Sequence, residues 1–214
     1  MTAFTGIPVA ALDFYEDLEA DNSKAWWLAH KTTYDECVRA PMIALADELA
    51  AEFGDANVYR PHRDVRFSKD KTPYKTHQGA FIPTAEGVGF YVQVSAAGLM
   101  TAAGWRARPD QVTRYRESVA GPSGVRLAAL VRTAEQAGFS ITGDRLATRP
   151  RGMAPGHPRE ELLRHKTLFG RRDWGSPDWL ATRQTVTRVR DDWRALRPLA
   201  TWLADHVSDA ADRS

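Results

Sequence analysis

Residues 79–105 read GAFIPTAEGVGFYVQVSAAGLMTAAGW. Three pieces, GAFIP, GFYVQV and LMTAAGW, are short runs of apolar, aromatic and β-branched residues. The pieces between them, Thr84-Ala85-Glu86-Gly87 and Ala96-Ala97-Gly98, are brief and contain glycine. Apolar runs of strand length joined by such links predict strands joined by hairpins. Adjacent strands with short links pair antiparallel, because a parallel pair needs a long crossover. Just upstream, RDVRF (63–67) alternates, with Val65 and Phe67 on one face and Asp64 and Arg66 on the other, so it predicts a further strand.

Outward from this centre the period changes to that of helices. In IPVAALDFYEDLEADN, Pro8 suits a first helical position, and Leu12, Tyr15 and Leu18 recur at three-residue spacing. Asp21-Asn22-Ser23 supplies caps for the next helix. Residues 23–54 read as helix throughout, with Pro41 predicting a kink or a second start after Ala40, and Gly54 a stop. After the strands, 109–121 and 123–138 read as helices, FSITGDRLATRPRG as a hairpin turning at Gly143-Asp144, and HPREELLRHKTLFG as a helix from Pro158 to Gly170. A last helix is expected from about Ser176 onward, with Trp179, Val186, Val189, Trp193 and Leu196 as its apolar stripe and a kink or break at Pro198. The order of helices, strands and helices predicts an α+β fold, an antiparallel sheet packed against several helices. We expect a single domain over 1–214, with 208–214 a frayed tail.

Composition sets the outer bounds. The chain has 214 residues, 43% hydrophobic and 26% charged, enough to bury a core. Its formal net charge is +2, too balanced for a dedicated nucleic-acid binder. One cysteine, Cys37, allows no intrachain disulfide and fits a reducing compartment. The N-terminal stretch lacks the basic start and clean apolar run of a signal peptide, and no stretch approaches a membrane span. The expectation is a soluble, cytoplasmic protein without a membrane partner.

The charge that exists is concentrated. Between Val58 and His77 lie six cations (Arg60, Arg63, Arg66, Lys69, Lys71, Lys75) and two acids (Asp64, Asp70), a local +4 that leaves −2 for the rest. Arginine captures phosphate or carboxylate with two prongs, lysine adds a point charge, and Thr72, Tyr74 and Thr76 add hydroxyls. An oxyanion pocket is one reading. The other is an ion-pair network of Arg63, Asp64, Arg66 and Asp70 that pins the turn into Pro73.

RDVRFSKDKTPYKTH closely resembles the signature of the bacterial and fungal domain-of-unknown-function family 2461, which falls here on Arg63, Asp64 and 66–76. FYEDLEADNSKAWW resembles that family's opening, RPRGMAPGHPREELLRHK a later block and RPLATWL its close, so the resemblance spans nearly the whole chain. It implies fold and kinship. It brings no activity, because the family is named for lacking one.

The candidate ligand-binding residues are Arg63, Asp64, Arg66, Lys69, Asp70, Lys71, Tyr74, Lys75, Trp105 and Lys166. Tyr74 would orient the ligand, and Asp64 and Asp70 would orient the cations. Trp105, between Gly104 and Arg106, could line a groove or simply pack. Lys166 is expected on a helix whose Leu162 and Leu163 face the core, and the family resemblance adds to its chance of reaching the groove. His62, His77, His157 and His165 lack metal-ligand spacing, and no metal or cofactor is expected. Glu160-Glu161 reads as dipole complement, Cys37 as a small buried residue, and the other tryptophans as core. The leading function is binding of a small anionic ligand, phosphate- or carboxylate-bearing. The alternatives are a phosphoester hydrolase or transferase using Asp64 or Asp70, and a nucleic-acid-binding or protein-interaction module.

Overall fold

The computed structural model describes residues 3–64, 66, 70–153 and 155–208. It is α+β, as expected. Six strands form one antiparallel sheet in the order β1-β2-β3-β4-β6-β5: β1 Asn57–Val58, β2 His77–Ala85, β3 Val88–Ser95, β4 Gly98–Trp105, β5 Ser140–Thr142 and β6 Leu168–Gly175. The hairpins of 77–105 fall where the apolar runs and their glycine-containing links place them. On β3, Val92 and Val94 are buried while Tyr91, Gln93 and Ser95 are half-buried. Pro83, which has no N–H for a ladder, sits on β2 beyond the Phe81–Asn57 pair where the two-residue β1 has already stopped.

The chain divides into two compact units. The first comprises Met1–Ile82, Tyr91–Thr101 and Asp173–Asp191. Here helix α1 (Ala10–Ala20) is followed by α2 (Lys24–Thr33), whose N-cap Ser23 accepts a hydrogen bond from the Trp26 N–H at 3.2 Å. A π-helical turn, Tyr34–Arg39, leads directly into α3 (Ala40–Phe53), which ends at Gly54. Pro41 has no N–H to give, and the wider turn before it absorbs the missing bond without ending the helix. The core is aromatic: Phe14 lies 5.2–5.8 Å from the rings of Tyr15, Trp26, Trp27 and Tyr34. Arg183 holds the N-terminal segment, donating to the Phe4 carbonyl at 2.8 Å and to Glu48 at 2.9 Å.

The second unit comprises Pro83–Phe90, Ala102–Arg172 and Asp192–Ser214. It contains α4 (Pro109–Ala120), α5 (Ser123–Gln136), the single turn α6 (Glu160–Leu163) and most of α7 (Gln184–Val207), which runs through Pro198. Arg159 caps the C-terminus of α4, donating to the carbonyls of Val119, Ala120 and Gly121 at 2.7, 2.8 and 3.1 Å. Gly104 is glycine because a Cβ there would lie 2.1 Å from the Leu168 carbonyl oxygen of β6.

Three expectations are corrected. FSITGDRLATRPRG is not a hairpin: β5 pairs antiparallel with β6, Ser140 opposite Arg171 and Thr142 opposite Phe169. The helix expected to Gly170 stops at Leu163, because Arg164 turns back to the carbonyls of Leu146 and Ala147 and the chain re-enters the sheet at Leu168. Of the strand expected at 63–67, Arg63, Asp64 and Arg66 lie in no strand, and Val65 and Phe67 lie outside the described residues. Among the described residues no helix is long and apolar enough to cross a membrane.

Candidate functional site: a bulged, cationic strand edge

The arm 57–63 runs antiparallel to the arm 74–81 at the edge of the sheet. Val58 opposes Ala80, and further along His62 opposes Tyr74. Between those pairs the first arm has three residues, 59–61, and the second has five, 75–79. The excess on one side is a β-bulge, a feature that re-aims side chains and recurs beside functional sites. Side chains repair the ladder there. Gln78 Nε2 donates to the Tyr59 carbonyl at 2.8 Å and the Gly79 carbonyl at 3.0 Å, while its Oε1 accepts from the Tyr34 hydroxyl at 2.6 Å. Lys75 Nζ donates to the Arg60 carbonyl at 3.0 Å and stands 5.2 Å from the centre of the Tyr59 ring. Beyond the bulge the arms close again through Lys75 N–H to the Pro61 carbonyl and Arg63 N–H to the Pro73 carbonyl, both 2.8 Å.

The bulged arm is tied to the first unit's helices at Tyr74. Asn22 clamps that peptide from both sides, its Nδ2 donating to the Tyr74 carbonyl at 3.0 Å and its Oδ1 accepting the Tyr74 N–H at 3.1 Å. The Tyr74 ring lies nearly parallel to Trp27, 8° off, with centroids 4.1 Å apart. Tyr74, expected to orient a ligand, is buried, and its ring anchors the loop against Trp27. Of Asp21-Asn22-Ser23, expected to supply the cap of α2, Ser23 makes it, which leaves the Asn22 amide to this long-range clamp.

The two aspartates are committed to the turn. Asp64 receives Arg66 Nε at 2.9 Å and Nη2 at 2.6 Å, a two-pronged pair, and these bonds hold its carboxyl below the usual range. Asp70 accepts the Thr72 N–H at 2.9 Å and hydroxyl at 2.8 Å and pairs with Arg63; its carboxyl is likewise held low, first by the Thr72 N–H. Arg66 and Asp64 are solvent-exposed, so this pair contributes little to stability. Carboxylates so engaged are poor bases.

The remaining cations experience one another. Burial and then the charges of Arg60 and Arg63 make the Lys75 ammonium easier to deprotonate. Burial and then Lys75 and Arg63 do the same to the His77 imidazolium. Every charged neighbour that shifts these two groups carries the same sign. Arg63 adds a second oddity: its Nε is buried without a hydrogen-bond partner among the described residues.

The other expected residues fall elsewhere. Lys71 is exposed near the turn, and Lys69 lies outside the described residues. Trp105 and Lys166 belong to the second unit. Trp105 is fully buried, its Nε1 donating to Gln111 at 3.0 Å and its ring 4.9 Å from Tyr115, so the groove-lining alternative for it is corrected. Lys166 is exposed, in a bend after α6 and not on a helix, held through its N–H to the Asp144 carbonyl at 2.7 Å. Arg60 and His77 were counted in the segment but not among the candidates, and Tyr59 was not singled out. Arg60 and Lys75 are 15 residues apart in sequence, and only the bulged register brings Tyr59-Arg60 and Lys75 together. A cleft of about 420 Å³ opens in the first unit, lined by Phe4, Glu36, Arg39 and Asp47 among others, and none of the expected residues lines it. Among the described residues no group of three or more His, Cys, Asp or Glu side chains is gathered to hold a metal ion.

Fold and loop together define a class: an α+β protein whose sheet edge carries a clamped, bulged arm rich in arginine and lysine. The chain belongs to the family described as "Conserved hypothetical protein (DUF2461)", whose model matches residues 10–202. No curated protein matches the chain.

Proposed function

We propose that the protein binds a small anion, phosphate- or carboxylate-bearing, at the bulge, held by Arg60, Arg63, Lys75 and His77. One observation carries this reading: the proton affinities of Lys75 and His77 are lowered by burial and by neighbouring cations, with no carboxylate among the causes. Cations held together cost free energy, and an anion between them would relieve it. The partnerless Arg63 Nε supports the same reading, because a buried donor left unsatisfied costs about 1–3 kcal/mol that a ligand oxygen would recover. Asp64 and Asp70 hold the turn and orient its arginines. Their low proton affinity counts against the hydrolase alternative, which needs one of them as a base.

Thermal unfolding with phosphate, sulfate, acetate and citrate, on wild type and on an Arg60→Ala/Lys75→Met double variant, tests the reading. A ligand at 100 times its Kd adds about 2.7 kcal/mol, which for a chain of this size raises Tm by roughly 5–10 °C. We expect at least one anion to do this for the wild type and not for the double variant. Equal shifts in both proteins, or none in either, would overturn the proposal.

A further inference from the structure

We infer that the anion taken at the bulge carries an aromatic base beside its charge, making the ligand a nucleoside monophosphate in class and not free phosphate. This rests on the anion-site reading above and adds Tyr59 to it. Large hydrophobic side chains exposed among the described residues are few, namely Val9, Leu28, Tyr59 and Val125, and Tyr59 is the aromatic one. It is 40% exposed, immediately precedes Arg60, and carries the Lys75 ammonium 5.2 Å from its ring centre. An aromatic face and a cation in contact are what a base attached to a phosphate needs, since the ring stacks and the charge pairs.

The backbone that carries the ring is also held. The Tyr59 N–H donates to the Gly79 carbonyl at 2.9 Å, and its carbonyl accepts from Gln78 at 2.8 Å, so the backbone under the ring is fixed from both sides. Tyr91 stands beside it, with ring centroids 6.2 Å apart and planes 36° apart. Tyr91 reaches that place because position 79 has no side chain: a Cβ on Gly79 would lie 2.3 Å from the Tyr91 hydroxyl oxygen. That hydroxyl donates to Gln93 at 2.9 Å, which fixes the second ring. A ring on a fixed backbone beside a second ring held by its hydroxyl loses less freedom on stacking with a ligand, so more of the contact appears as affinity. A bare phosphate or carboxylate would use the cations and leave this platform idle.

Isothermal titration calorimetry with inorganic phosphate, adenosine and adenosine monophosphate tests the inference on wild type, Tyr59→Phe and Tyr59→Ala. We expect the monophosphate to bind at least about tenfold tighter than phosphate, the scale of one stacking contact. Tyr59→Phe should keep that ratio, and Tyr59→Ala should bring it near one by weakening the monophosphate far more than phosphate. Equal affinities for phosphate and monophosphate in the wild type, or equal losses for both in Tyr59→Ala, overturn the aromatic inference and leave the anion site standing. Failure of both phosphate and monophosphate to bind the wild type overturns the anion site and this inference together. Adenosine binding as tightly as its monophosphate would likewise overturn both.

Discussion

Replacing Asn22 by alanine should loosen the bulged arm more than any substitution of its charged residues. Asn22 gives the Tyr74 peptide two hydrogen bonds, 3.0 Å to its carbonyl and 3.1 Å from its N–H, and Tyr74 is only 4% exposed. In Asn22→Ala the N–H loses its acceptor in a place water reaches poorly, at about 1–3 kcal/mol. The carbonyl keeps only a long 3.5 Å contact from Arg63 Nη2, so losing the amide donor adds about 0.5–1.5 kcal/mol. The expected total is about 2–4 kcal/mol, or roughly 5–15 °C of Tm for a chain this long. Asn22→Asp keeps the acceptor, loses the donor and turns a carboxylate oxygen toward the carbonyl, so it should fall between wild type and alanine. Urea unfolding followed by tryptophan fluorescence reads the difference, and Trp27, stacked on Tyr74, is a well-placed reporter. Combining Asn22→Ala with Trp27→Leu should cost less than the two separately, because both act through Tyr74. An Asn22→Ala protein within about 0.5 kcal/mol of wild type, the range of ordinary surface changes, would refute the clamp.

Two further outcomes are expected. His77 holds its proton less tightly folded than unfolded, so below about pH 6.5 the unfolded state takes up the proton first and stability falls as the solution is acidified toward the lower folded value. His77→Gln should flatten the stability–pH curve just below about pH 6.5, and an unchanged slope would show that the imidazole is not strained. Arg159→Met should remove the three-carbonyl cap of α4 and lower stability by about 2–4 kcal/mol in calorimetric unfolding, while Arg132→Met, on the exposed side of α5, should change it by less than about 0.5 kcal/mol; equal effects would count against the cap.

The elements that were legible are those whose partners lie close in sequence. The run 77–105 showed its three strands because each pairs with the next through a two-residue link. The stripe Val186, Val189, Trp193, Leu196 showed α7 because helical periodicity is local, but Trp179, expected as its first member, lies in a separate 3-10 turn, Asp178–Ala181, before α7 begins at Gln184. Strand β6 was hidden. Its LFGRRDWG carries three charges in a row, a poor strand pattern until Asp192, buried, is seen to take Arg172 at 2.5 Å, and Phe139 to lie under the same guanidinium at 4.0 Å. Strand β5 was misread as the start of a local hairpin because its partner begins more than twenty residues later, a distance over which pattern carries no pairing information. The helix expected from Pro158 to Gly170 ends at Leu163 for a similar reason: Arg164 leaves it for carbonyls at 146 and 147, which nothing in EELLRHK announces.

Local pattern settled the class of fold, the family and the place where positive charge collects, since composition, periodicity and a long motif are all properties of neighbouring residues. It left open whether that charge is neutralised within the turn or presented at the sheet edge. Three-dimensional pairing divides the segment between the two. Asp64 takes Arg66, and Asp70 takes one end of Arg63, whose Nε is left without a hydrogen-bond partner among the described residues; the unequal arms of the bulge bring Lys75 to the Arg60 carbonyl and the Tyr59 ring. Coulomb energy depends on distance, and distance here follows from a register offset and from a clamp by Asn22, 52 residues away in sequence. Neither the offset nor the clamp leaves a mark in the order of residues from 63 to 77.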